Sequence, residues 1–268
     1  MNNNPHITLA QAKMSRLQVV AVIMCFLLTA LDGFDVLSIS FAAPGIAAEW
    51  GIDRAALGLV LSMELIGMSF GSILIGAFAD RNGRRPAILA CLVLMSVGMA
   101  LASTADGVVI MSIYRLATGI GLGGMLATTA AMAAEFSNLR RRNVSVIVMA
   151  AGFPVGAIVG GSIASLLLVK FDWNAVFLFG AVVTAAFIPL AWFFLPESIG
   201  YLLERRPAGA LERINATMRR MGHAAIEALP EVRAAKLPPS VKALFSPGLA
   251  SITIILTLAY FLHIMTFY

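Results

Sequence analysis

The chain has 268 residues, of which 60% are hydrophobic and only 12% charged, with a mean hydropathy of +0.90. A soluble domain is typically about 45–50% apolar and about 25% charged, so the surplus here belongs in lipid. The net charge of +5 does not describe a nucleic-acid surface, because the basic residues form short clusters between long apolar runs. Cys25 and Cys91 each lie inside an apolar run, without metal-ligand or redox spacing, and read as packing residues. There is no phosphate loop, no metal cluster and no nucleophile–base pair in an aqueous context. No enzyme chemistry, metal or cofactor is therefore expected.

A bilayer core of about 30 Å requires about 20 mostly apolar residues per helix. Residues 1–16 form a polar tail, in which Lys13 and Arg16 precede a stretch too long for a signal peptide. Spans are then predicted at 17–42, 57–79, 87–104, 108–134, 144–169 and 174–195, which makes 17–195 a six-helix bundle. They lack the alternation of barrel strands. A polar linker covers 196–248, and a seventh span begins near 249. The linker interleaves Glu204, Arg205, Arg206, Glu212, Arg213, Arg219 and Arg220 with Leu203, Leu211, Ile214 and Met218. That pattern predicts one or two amphipathic helices on the membrane surface. The last residue, Tyr268, falls about twenty residues into the seventh span, a layout expected of a fragment or truncated product.

Lysine and arginine divide sharply between the loops. The tail, the loop after span two (Arg81, Arg84, Arg85), the loop after span four (Arg140, Arg141, Arg142) and the linker together hold sixteen. The other loops hold only Arg54 and Lys170. The positive-inside rule places the richer side, and the amino terminus, in the cytoplasm.

Four ionisable residues interrupt the spans: Asp32 and Asp35 in the first, Glu64 in the second and Arg115 in the fourth. Each costs at least about 2.5–3.5 kcal/mol at mid-bilayer, which makes it a candidate for function. At 1.5 Å per residue, Asp35, Glu64 and Arg115 fall at roughly 10–14 Å from the outer edge, with Asp32 one turn deeper. Asp32 and Asp35 are three apart and share a helix face. Burial disfavours an ionised carboxylate and a nearby guanidinium favours it, so such a group is suited to taking up a proton when the arginine is engaged elsewhere. Arg115 then suits a substrate carboxylate, which its fork-like guanidinium can grip. The competing reading is a buried structural pair. His263, in the seventh span, stands equally as a proton relay, a substrate contact or a packing histidine.

Span four continues from Arg115 through Gly119, Gly121, Gly123 and Gly124; span five contains Gly152, Pro154, Gly156, Gly160 and Gly161. Glycines four apart make a groove for a neighbouring helix, and Pro154 permits a kink. A hinge for alternating access is the further expectation. The loop Gly76-Ala-Phe-Ala-Asp80-Arg81-Asn82-Gly83-Arg84-Arg85 requires a tight turn, which Gly83 permits through positive φ. Asp80 and the three arginines form a charge cluster beside it.

This loop resembles the signature Gly-x-x-x-Asp-Arg-x-Gly-Arg-Arg of the major facilitator superfamily. The run from Arg115 to Gly124 resembles the family's fourth-helix signature, and Pro196-Glu197-Ser198 the start of its linker signature. Ile199-Gly200-Tyr201 departs from the Pro-Arg-Trp of sugar porters. Leu31-Asp32-Gly33-Phe34-Asp35, with Ala42-Ala43-Pro44, is similar to the first-helix signature of the aromatic acid:proton symporters, which carry 4-hydroxybenzoate, benzoate and related acids. The resemblance implies an all-α membrane fold of two six-helix halves. It further implies a bacterial inner-membrane symporter, monomeric, with a small organic acid as substrate and the proton as coupling ion. Asp32 and Asp35 then take the essential first-helix acid positions. Asp80, with Arg81, Arg84 and Arg85, forms the cytoplasmic gate, and the second-half helices would be required for transport. Carriers of sugars, dicarboxylates or other metabolites, drug exporters and a non-transporting sensor or inactive truncated product remain alternatives on the residues alone.

Overall fold

A computed structural model describes residues 5–230 and 245–267, apart from the side chains of residues 6, 7, 260 and 263–267. Every regular element among the described residues is a helix. These are α1 (Pro5–Gln11), α2 (Arg16–Trp50), α3 (Arg54–Asn82), α4 (Arg84–Ala102), α5 (Val108–Glu135), α6 (Arg142–Ala150), α7 (Gly152–Leu168), α8 (Asn174–Phe194), α9 (Ile199–Arg205), α10 (Ala210–Arg220) and α11 (Ala250–Phe267). Among the described residues, six segments are long and apolar enough to cross a membrane: α2, α3, α4, α5, the consecutive pair α6 and α7, and α8. The chain is an all-α, multi-pass membrane protein.

Local chemistry sets the helix ends. Ser15 and Gln18 form a reciprocal capping box at the start of α2, where Ser15 N–H donates to Gln18 Oε1 at 2.8 Å. Asp53 caps α3 by accepting from the Ala56 N–H at 2.9 Å. Between α3 and α4 the chain turns on Gly83 alone, whose φ of 109° lies where side-chain-bearing residues are strained.

Two spans depart from expectation by more than three residues at an end or by an internal break. The first was expected to end at residue 42, yet α2 runs through Pro44 to Trp50 and stops at left-handed Gly51. Pro44 removes one backbone donor, a cost of about 3 kcal/mol in a helix interior. The extra turns offset it by burying Ile46 and setting Trp50 edge-on to Trp173, with ring centroids 5.5 Å apart. The span expected at 144–169 is divided at Ala151 into α6 and α7. Pro154 cannot donate to the Ala150 carbonyl and its ring crowds that carbonyl, so the helix opens one turn before the proline.

Within residues 1–230, which form one compact unit, α3 lies against α5, α2 against α7, and α4 between α5 and α8. Glycines set the first two contacts. A Cβ on Gly67 or Gly71 of α3 would overlap the Leu116 or Ile120 carbonyl oxygen, and one on Gly119 or Gly123 of α5 would overlap those of Glu64 and Met68. On α7, a Cβ at Gly152 or Gly156 would meet the carbonyls of Phe26 and Ala30. Gly160 packs on the Phe34 ring, Gly161 on Phe41 and Gly121 on Met95. Two apolar clusters fill the bundle, one including Leu31, Met95 and Leu122, the other Phe34, Met111 and Phe177. Asp32, Asp35 and Arg115 lie along α2 and α5 where these clusters meet.

The linker corrects an expectation. Its α10 is amphipathic, but Ile214 and Met218 pack into the bundle's core with Phe136 and Leu202, so its apolar face is covered by protein instead of lying on the membrane surface. Residues 231–244 lie outside the description. In the second unit, from Glu231, α11 is a single apolar helix beginning at Ala250.

Candidate functional site

Arg115 is fully buried and holds two carboxylates at once. Its Nη1 donates to Asp35 Oδ1 at 3.1 Å, and its Nη2 to the Asp35 carbonyl at 2.9 Å. The same Nη2 donates to Glu64 Oε2. Met99 Sδ lies 3.4 Å from Nη1, and the guanidinium carbon stands 5.7 Å from the centre of the Phe177 ring. Four helices, α2, α3, α4 and α8, therefore meet the one side chain that α5 contributes. Gly119, one turn beyond Arg115 on α5, makes this reach possible, because it lets the α3 backbone at Glu64 come into contact with α5.

Asp32 is brought to the same region but into no hydrogen bond. It is 3% exposed, and neither carboxylate oxygen has a partner among the described residues. Asp35 Oδ2, Glu64 Oε1 and Arg115 Nε are also unpartnered. One guanidinium thus pairs with two acids, with a third, Asp32, beside Asp35, and its charge is enough to neutralise one of the three. In a medium where an isolated ion costs several kcal/mol, such an excess of acids makes the cluster a candidate for binding protons.

The arginine-rich end carries a second network. Arg84 Nε meets Glu135 Oε1 at 2.7 Å and Nη1 meets Asp80 at 3.6 Å, while Glu135 Oε2 accepts from the Ser198 hydroxyl. Glu197 Oε1 accepts from three backbone N–H groups, those of Arg84 (2.9 Å), Arg85 (3.2 Å) and Ser198 (2.9 Å). It caps α4 from across the bundle, placing a negative charge at the helix's positive end. Asp80 also offers its carbonyl to Arg205 at 3.0 Å, and Arg85 stacks over Trp192 with its guanidinium carbon 4.7 Å from the ring centre. Arg81 is exposed, and Gly76 has open space where a Cβ would stand.

Glu197→Ala is expected to destabilise the fold by about 1–3 kcal/mol, since it orphans one buried and two partly buried backbone donors. Arg84→Ala is expected to cost about 1 kcal/mol or less, as its partly exposed ion pairs are weak. Thermal unfolding in detergent compares the two, and equal losses would contradict the capping role of Glu197.

Glu135 carries no distinguishing sequence signal, and Glu197 carries only that of the linker signature. Both lie in polar segments where acids are common, so neither carries the rarity that marks an intramembrane charge. His263 lies in α11, but its side chain is outside the described residues.

Residues 25–268 match the sequence profile of the Major Facilitator Superfamily. The chain belongs to that superfamily. It is 33% identical to the 4-hydroxybenzoate transporter PcaK of Pseudomonas putida, over 96% of this chain and 58% of that protein. Its identity to the gallate transporter of the same organism is 32%, over 76% of this chain and 45% of the relative. The 4-hydroxybenzoate transporter PcaK of Acinetobacter baylyi is 37% identical over 72% of this chain and 42% of its own length. These relatives are named as transporters, not enzymes. The chain spans about half the length of the curated relatives it matches. The proton:xylose symporter XylE superposes with a TM-score of 0.70 at 20% identity, covering 79% of this chain and 51% of XylE. That likeness shows the major facilitator fold, in agreement with the loop and fourth-helix signatures.

Proposed function

We propose that this chain works as part of a proton-coupled symporter that brings an aromatic or related organic acid inward across the bacterial inner membrane, with its amino terminus in the cytoplasm. The observation that carries the reading is the buried cluster, in which Arg115 pairs with Asp35 and Glu64 while Asp32 lies buried beside Asp35. The names of the relatives supply the substrate class. The proton is the coupling ion, with Asp32 and Asp35 handling it. Arg115 meets the substrate carboxylate, a charge-assisted contact that a guanidinium makes well. The sixteen-to-two division of basic residues supports the orientation. The Asp80, Arg84, Glu135 and Ser198 network serves as a latch at the cytoplasmic end, able to hold or release neighbouring helix ends as the bundle rocks.

Uptake of labelled 4-hydroxybenzoate into vesicles carrying the full-length protein is expected to follow an inward proton gradient and to be blocked by benzoate analogues. Asp32→Asn is expected to abolish accumulation, because a neutral amide cannot exchange a proton. Full accumulation by that variant removes Asp32 from the mechanism. Uptake of a sugar that benzoate analogues leave unaffected overturns the substrate class.

A further inference from the structure

If Arg115 grips a substrate carboxylate at two points, as in the function proposed above, one of its present partners must let go, because only Nε is unpartnered. Neither guanidinium nitrogen that carries two hydrogens is free: Nη1 serves Asp35 and faces Met99, while Nη2 serves the Asp35 carbonyl and Glu64. Asp35 holds the guanidinium at two points, one of them a backbone carbonyl that protonation cannot remove. Glu64 holds it at one, and its other oxygen is unpartnered. The attachments are unequal in number, and the single one belongs to the longer side chain, which has one more rotatable bond to swing about. We infer that Glu64 is the internal stand-in for the substrate carboxylate, the group that yields Arg115 to the incoming acid and takes up a proton as it leaves.

The exchange balances in charge and atoms. A substrate carboxylate and one proton enter, the substrate carboxylate pairs with Arg115, and a single O–H bond forms on Glu64. No net charge is added to the cluster, and the displaced acid is neutral instead of standing as an uncompensated buried ion. The charged groups that face Glu64 are Arg115 on α5 and Asp35 on α2, with Asp32 beside Asp35. The only titratable side chain that α4 contributes along its apolar stretch is Cys91, beside Asp32. During this exchange Asp35 keeps the arginine in place through its carbonyl, which leaves its carboxylate for the proton handling proposed above.

The test measures proton uptake on binding. The full chain in nanodiscs, in weakly buffered solution with a pH indicator, is titrated with 4-hydroxybenzoate. Wild type is expected to take up about one proton for each acid bound, as linkage requires when binding favours a protonated state. Glu64→Gln, which mimics the released and neutral side chain, is expected to bind the acid severalfold more tightly, without proton uptake and with little pH dependence. Glu64→Asp keeps the exchangeable carboxyl and is expected to restore proton uptake. Should Glu64→Gln fold poorly, infrared difference spectra of wild type labelled with ¹³C-glutamate read the same event. A labelled protonated-carboxyl band should appear when 4-hydroxybenzoate binds.

Binding with unchanged proton uptake in Glu64→Gln, or a spectrum without a labelled glutamic-acid band, overturns the assignment to Glu64. In that event proton-driven uptake by the wild type would leave the symporter reading standing. If the wild type neither binds nor transports any ring acid, the symporter reading itself falls.

Discussion

Arg115→Leu is expected to leave little folded protein. The substitution removes the donors to Asp35 Oδ1, the Asp35 carbonyl and Glu64 Oε2, all in a site where the acids are 1–2% exposed. Breaking a buried ion pair by removing one partner costs about 3–5 kcal/mol, against a total stability of about 5–15 kcal/mol for a typical domain. Arg115→Lys should lie between, because an ammonium is a point charge and cannot span two carboxylates in the plane of a guanidinium. The measurement is the yield of monodisperse protein on size exclusion, followed by its thermal midpoint. A companion variant separates charge from packing. Asp35→Asn and Glu64→Gln added to Arg115→Leu should recover part of the loss, since the stranded charges are gone. If Arg115→Leu alone unfolds at the wild-type temperature, the cluster contributes nothing to the fold.

Gly156→Val is the second large effect, and it acts through the backbone. A Cβ at this position would overlap the carbonyl oxygen, carbonyl carbon and Cα of Ala30, none of which can turn aside as a side chain does. Helices α2 and α7 would have to separate along the seam that Gly33 and Gly152 also keep close. Overpacking a tight contact costs about 1–3 kcal/mol, and here the shift spreads over two helices, so the upper end or beyond is expected. Gly76→Ala is the control, because a Cβ there meets nothing within 4 Å. A thermal midpoint for Gly156→Val matching that of Gly76→Ala would refute the close approach of α2 and α7. The same separation should move Asp32 and Asp35, which flank Gly33, and so reduce acid binding in any folded fraction.

These two positions illustrate how unequally the molecule was legible. Arg115 was identifiable from its place in an apolar run, because lipid makes each intramembrane charge rare and expensive. Its partners were candidates from the same argument, but their pairing was not. Asp35 and Glu64 are 80 and 51 residues away in sequence, and their separate bonds to Nη1 and Nη2 depend on how three helices pack. Glu197, 113 residues from Arg84, was harder still, since an acid in a polar linker is ordinary until it is found beneath the N-terminus of α4. The break at Ala151 and the passage of α2 through Pro44 share one cause. A proline removes a donor in either place, and the surrounding contacts decide whether the helix opens or continues.

Features that depend on solvent and on nearest neighbours along the chain are legible from the residues alone. The six spans follow from the length of apolar runs against the bilayer, and the expected orientation follows from the placement of basic residues. The turn at Gly83 follows from a backbone that only glycine adopts without strain. Packing between helices sets which buried acids hold Arg115, which one stands without a partner, and what covers the apolar face of α10. Those outcomes depend on distances between residues remote in sequence, and a hydrogen bond is made or lost within less than 1 Å. Periodicity can place a carboxylate on a helix face, but the neighbouring helices decide what it meets there.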